Sequence, residues 1–148
     1  MLPNFQVFAP SQPNEGKACL DLALSHNGPS YIRLGKNGEP DLSQHLLSEQ
    51  GGTKIYCNET NNCDLLLFTY GPIALECIQA ANILAISGLK ISVCSILQVK
   101  PLPDNVIQIC SNQNHIIAVE EHSTYHSVGS SLLKALSLEG FGGKFKVI

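Results

Sequence analysis

Two kinds of stretch alternate along this chain: short, nearly continuous apolar runs that stop at glycine or proline, and longer segments whose apolar positions recur every three or four residues. "NFQVFAP" reads as a short strand closed by Pro10, and "PNEGKACLDLALSHNG" sets Ala18, Leu20, Leu22, Ala23 and Leu24 on a helix-sized segment ended by Asn27-Gly28. "YIRLG" reads as a second strand. The polar stretch "KNGEPDLSQHLLSEQGG", rich in Gly and Pro, predicts a connector, and a boundary is expected near residues 40 to 52.

Beyond it the alternation sharpens. "TKIYC" and "DLLLFTYG" predict strands, and "PIALECIQAANILAISG" puts Ile73, Cys77, Ala80, Ala81 and Leu84 at helical spacing between Pro72 and Gly88. Strand "KISVCSIL", helix "LPDNVIQICSN", strand "HIIAVEEH", helix "SVGSSLLKALSLEG" and strand "KFKVI" follow. Strands alternating with helices imply crossovers into a parallel sheet, and strands apolar throughout suit a sheet covered on both faces. The expected architecture is three-layer α/β/α with a mostly parallel sheet.

Composition narrows the function classes. The 148 residues fit one ordinary domain, or one with a fragment of another, and the net charge is −3 from nine Lys and Arg against twelve Asp and Glu. No window gathers enough basic residues to follow a phosphate backbone, so nucleic acid is not an expected partner. No apolar run approaches the roughly 20 residues that cross a bilayer, and "MLPNFQVFAP" lacks the marks of a secretory signal. A cytoplasmic protein is expected. Of six cysteines, Cys19, Cys77, Cys94 and Cys110 sit in apolar segments and read as buried thiols. Cys57 and Cys63 flank the polar loop "CNETNNC", whose spacing matches no zinc pair.

Four places could carry chemistry. Gly71, between a strand and a helix, has the geometry that aims free backbone N–H groups at an anion, but neither G-x-G-x-x-G nor G-x-x-x-x-G-K is present. In "IIAVEEHSTYHSVGS", His122 and His126 with Glu120 or Glu121 could make a metal site or a small hydrolase centre. Ser123, Thr124 and Ser127 favour instead a loop that stages the next helix. Cys94 with His122 is a conceivable nucleophile pair, against a buried inert thiol. Arg33 and Lys36 in "GPSYIRLGK" are apt for clamping a phosphate, and equally for a surface pair beside the connector.

Taken together, "LPNFQVFAPSQPNEGKACLDLAL", "GPSYIRLGK", "DLLLFTYGPIALECIQAANILAISGLKISVCSILQVKPLP" and "IIAVEEH" resemble the transketolase family of thiamine-diphosphate enzymes. That family includes deoxyxylulose-phosphate synthases and the β subunits of 2-oxoacid dehydrogenases. The first two pieces resemble the end of its pyrimidine-binding domain, the last two its C-terminal domain. The resemblance implies residues 1–50 as a domain tail with connector and 51–148 as a C-terminal-like domain. It also implies that Arg33 and Lys36 contact substrate phosphate, with Lys36 standing where transketolases have an arginine. Glu120, Glu121 and His122 would form a supporting loop near subunit contacts rather than a catalytic centre.

The family's glutamate that activates thiamine, and its diphosphate and metal ligands, have no counterpart among these residues. The implied function is a C-terminal part or split subunit, associated with a homo-oligomeric copy or with a chain carrying the diphosphate-binding half. Thiamine diphosphate and Mg²⁺ would enter only the full enzyme, and no residue here is expected to be catalytic or to hold cofactor or metal. A phosphorylated sugar is a possible ligand. The alternative from another class is a stand-alone small-anion-binding or regulatory module with the same fold.

Overall fold

The computed structural model describes residues 3–36, 38–121 and 123–148. Its centre is a six-stranded sheet in the order β3-β4-β6-β5-β8-β9, formed by Leu46–Gln50, Thr53–Tyr56, Ile91–Ile96, Leu65–Tyr70, His115–Ala118 and Lys144–Val147. The strands β6, β5, β8 and β9 run parallel, and β4 and β3 add antiparallel at one edge. Every residue of β6 is buried, as a strand with covered faces requires.

Alternation along β5 divides the core. Leu66 and Phe68 face one way and pack with Cys94, Ile96, Ile116 and Ala118 against Val106 and Cys110 of α3 (Asp104–Ser111) and Leu132 and Leu136 of α4 (Val128–Leu138). Leu67 faces the other way, joining Tyr56, Ile91 and Val93 under Ala74, Cys77, Ile78 and Ala81 of α2 (Ala74–Ala85). The three-layer α/β/α architecture with a mostly parallel sheet follows.

The N-terminal segment makes a second, small sheet. β1 (Gln6–Phe8) pairs parallel with β2 (Ser30–Ile32) across α1 (Glu15–Ser25), and antiparallel with β7 (Gln98–Lys100), a strand the sequence pattern did not signal. Phe8 and Cys19 pack on Leu97, so the junction has a core of its own. The leucines of α1 do not share in it: Leu20, Leu22 and Leu24 are exposed.

The stretch read as a connector is not purely one. Its second half forms β3, hairpinned to β4 through Gly51-Gly52, with Gln50 opposite Thr53. Both glycines have positive φ, 58° and 78°, as the tight two-residue turn demands. Four of the five β3 residues are exposed, so no apolar alternation marked the strand.

Beside this hairpin a buried ion pair links the segments. Lys54 Nζ lies 2.6 Å from Glu15 Oε1, both side chains only 8% exposed. Glu15 Oε2 also accepts the Ser11 N–H at 2.6 Å, Ser11 Oγ lies 2.7 Å from Ser95 Oγ, and the Leu42 N–H donates to Gln12 Oε1 at 2.7 Å. A charge this dry persists only with its partner, so α1 is held against the large sheet.

Candidate functional site

Parallel strands deliver their C-terminal ends to one edge, where open α/β sheets usually bind ligands. Three loops meet there. β2 ends into Arg33, whose N–H is fixed by the Phe8 carbonyl at 2.8 Å. β5 ends at Tyr70-Gly71, and beyond β8 two further ladder bonds, Val119 N–H to Phe68 O and Glu120 N–H to Ile148 O, carry the chain to Glu120 and Glu121.

The two adjacent carboxylates have different surroundings. Glu120 is buried and accepts three donors: the Tyr70 hydroxyl at 2.8 Å, the Val128 N–H at 3.1 Å and the Gly129 N–H at 2.7 Å. The last two are free N–H groups in the first turn of α4, so the carboxylate closes that turn and offsets its dipole. Ser127 caps the same turn by accepting the Ser130 N–H at 3.1 Å, as its place before the helix predicts. Burial, with the hydrogen bond to Glu120 adding to it, raises the Tyr70 phenol well above its usual range and keeps it a donor.

Glu121 is exposed and engages Arg33, the two meeting at 2.6 Å between Oε2 and Nη2. The sequence reading assigned these residues separate roles, as a substrate clamp and a supporting loop. The structure brings them together. A Cβ at Gly71 would lie 3.9 Å from Arg33 Nη1, an ordinary contact distance, so glycine is favoured here by its φ of 71° rather than by crowding. Lys36, the other proposed clamp residue, is exposed on the loop beyond Arg33.

The remaining chemistry-bearing residues do not converge. His122 lies outside the described residues, so neither its pairing with His126 nor with Cys94 is seen. His126 is exposed with a φ of 55°. Burial pushes the Cys94 thiol up to about 12, leaving almost no thiolate near neutral pH. Cys57 and Cys63 are both free thiols, and Cys63 donates to Gln113 Oε1 at 3.3 Å.

The fit to a diphosphate and its divalent cation can be tested on the carboxylates. Glu15 is committed to Lys54, Glu120 to the start of α4 and Tyr70, and Glu121 to Arg33. Among the described residues no three His, Cys, Asp or Glu side chains group as a metal would need. The residues present do not fit that cofactor, and no chemical step is derived through it. Nor, among the described residues, is any helix long and apolar enough to cross a membrane.

What sequence reasoning missed is the pairing. Glu15 with Lys54, and Arg33 with Glu121, join residues far apart in the chain, 88 positions in the second case, and no local pattern marks such partners.

Comparison with known proteins gives a consistent result. The family model described as transketolase, C-terminal domain, matches residues 57–147. The chain is 29% identical over 141 residues to one of the subunits of the apulose-4-phosphate transketolase of Actinobacillus succinogenes, covering 93% of this chain and 44% of that protein. It is 32% identical over 146 residues to 1-deoxy-D-xylulose-5-phosphate synthase 1 of Geobacter sulfurreducens, covering 96% and 22%. A solved split-gene transketolase, described as an inactive β4 tetramer, superposes with a TM-score of 0.82 at 27% identity over 100% of this chain and 48% of that one. The chain thus spans less than half the length of each of these relatives. With its own sheet order and core matching that fold, the chain belongs to the transketolase C-terminal domain family.

Proposed function

We propose that this chain is the C-terminal part or split subunit of a transketolase-like thiamine-diphosphate enzyme, acting in ketol transfer or related deoxyxylulose-phosphate or 2-oxoacid chemistry in the cytoplasm. Residues 1–50 act as the tail of a pyrimidine-binding domain and 51–148 as the C-terminal domain. The chain contributes assembly and substrate-end contacts, while thiamine diphosphate and Mg²⁺ are held by the half it lacks, either on another chain or elsewhere in a longer one. Arg33 and Lys36 meet the phosphate of a phosphorylated sugar, and Glu120, Glu121 and His122 support the loop beside it.

One observation carries this reading: the whole chain, tail and domain together, superposes on a split-gene transketolase. The tail adds support, since Leu20, Leu22, Leu24, Tyr31 and Leu34 are exposed along it, an apolar surface of the kind a partner covers. Co-expression with a chain bearing the diphosphate-binding half tests it. Co-elution with ketol-transfer activity that neither chain shows alone is the expected result, and a strictly monomeric chain that such a partner ignores overturns it.

A second reading has its own observation, the guanidinium and ammonium at the C-terminal strand edge, which suit a small anion without any partner. It expects sugar phosphates to stabilise the isolated chain thermally, an effect absent in Arg33→Ala.

A further inference from the structure

The guanidinium assigned to substrate phosphate already holds a carboxylate. Glu121 Oε2 sits 2.6 Å from Arg33 Nη2, on the fork that would bind a phosphate oxygen, because carboxylate and phosphate present similar acceptor geometry to arginine. A phosphate and Glu121 cannot both occupy that fork without placing two anions within a few ångströms of each other. We propose that Glu121 is a built-in competitor, occupying the Arg33 fork until a phosphate-bearing ligand displaces it, and so sets the affinity and selectivity of this edge for anions. The proposal rests on the reading that Arg33 and Lys36 receive phosphate.

Three features distinguish Glu121 from a merely structural partner. Its neighbour Glu120 is buried with three donors and cannot leave without unsatisfying the first turn of α4, whereas Glu121's only hydrogen-bond partner among the described residues is Arg33. The Arg33 and Glu121 side chains are 29% and 36% exposed, so water and ligand can reach the pair and a departing carboxylate enters solvent. A Cβ at Gly71 would lie 3.9 Å from Nη1, at contact distance, so with glycine there no side chain covers that arm of the fork from this side.

The consequence is selectivity by charge. A monocarboxylate offers Arg33 no more than Glu121 already does, while a phosphate dianion brings twice the charge and can also draw in Lys36, which among the described residues has no carboxylate partner. The edge therefore discriminates against carboxylate metabolites that lack a phosphate.

Titration of the full chain with inorganic phosphate and, separately, with acetate reads this directly. Glu121→Gln, which keeps the side-chain shape and removes the charge, is expected to bind phosphate roughly fivefold tighter, the scale of one partly exposed ion pair, and to gain measurable acetate binding. The double variant Arg33→Ala/Glu121→Gln should lose both gains. Unchanged phosphate affinity in Glu121→Gln, or a gain that persists without Arg33, overturns the proposal. A lowered melting temperature with unchanged affinity also overturns it, showing a structural tie only. The underlying reading is judged by other variants: if Arg33→Ala and Lys36→Ala bind phosphate as well as the parent chain, the clamp itself is wrong and this proposal falls with it. If they lose binding while Glu121→Gln gains none, only the competitor role is lost.

Discussion

A carboxylate stripped of its cation in a dry place keeps its full desolvation cost, and Glu15 and Lys54 are two such groups sharing one site. Lys54→Ala should destabilise the chain by about 3–5 kcal/mol, because it leaves the Glu15 charge buried with neutral donors such as the Ser11 N–H but without its cation. Replacing both members with apolar residues of similar volume, as in Glu15→Leu/Lys54→Met, should recover most of that loss. The midpoint of urea unfolding reads both variants. A single variant no worse than the double would mean that water reaches the pair. The cysteines give a pH signature at the same scale. Burial pushes the Cys19 and Cys77 thiols up to about 11 and Cys94 up to about 12. Their folded values lie above the unfolded value of about 8.5, so the stability they lend is fully present below that pH and is lost as pH rises through about 11. Unfolding free energy should therefore fall across that alkaline window. With a thiol reagent at pH 8, the half-buried Cys57 and Cys63 should label well before the other four, which react only as fast as the chain opens.

At the scale of elements, the least obvious strand depends on the smallest residues. Gly51 and Gly52 both take the left-handed backbone that closes the β3–β4 hairpin, and a Cβ at Gly52 would also come within 3.1 Å of Leu97 Cβ. Gly52→Val should cost at least about 1–2 kcal/mol, seen as an earlier urea midpoint, and an unshifted midpoint would mean that β3 contributes nothing to the sheet. Elements read from the sequence and elements missed by it differ in where their information resides. β5, α2, β6 and α4 carry their own signals: short, nearly continuous apolar runs for the two strands, helical spacing between Pro72 and Gly88 for α2, and a serine at the cap of α4. β3 is an edge strand with mostly exposed side chains, and β7 is three residues whose partner β1 lies near the N-terminus, far away in sequence. The "GG" that ends the supposed connector was a hairpin signal, but without apolar alternation ahead of it the loop reading prevailed. The site was legible in the same divided way. Arg33, Glu120 and Glu121 were identifiable as strand-end residues, whereas the contact between Arg33 and Glu121 exists only because β2 and β8 end at the same edge of the folded chain.

For the molecule as a whole, the disposition of charge decides what it can hold by itself. Thiamine diphosphate carries a polyanionic tail that binds through a divalent cation and the oxygen ligands of that cation. In this chain each buried carboxylate is already neutralised from within, Glu15 by an ammonium and Glu120 by helix amides and a phenol, so recruiting either to a cation would dismantle the junction of α1 with the sheet or the start of α4. Among the described residues, Glu121 is the carboxylate at the C-terminal strand edge free to leave its partner, and one monodentate oxygen is far short of the near-octahedral shell that Mg²⁺ demands. Arg33 and Lys36 could attract the diphosphate directly, but Arg33 must first shed Glu121, and two cations supply none of the oxygen ligands that the accompanying Mg²⁺ needs. Isothermal titration of the chain alone with thiamine diphosphate and Mg²⁺ should accordingly show no measurable binding, whereas the assembled enzyme should bind. A dissociation constant in the micromolar range or tighter for the chain alone, about −8 kcal/mol, would mean that a cofactor seat forms within these 148 residues and that the division of labour proposed between the two halves is wrong.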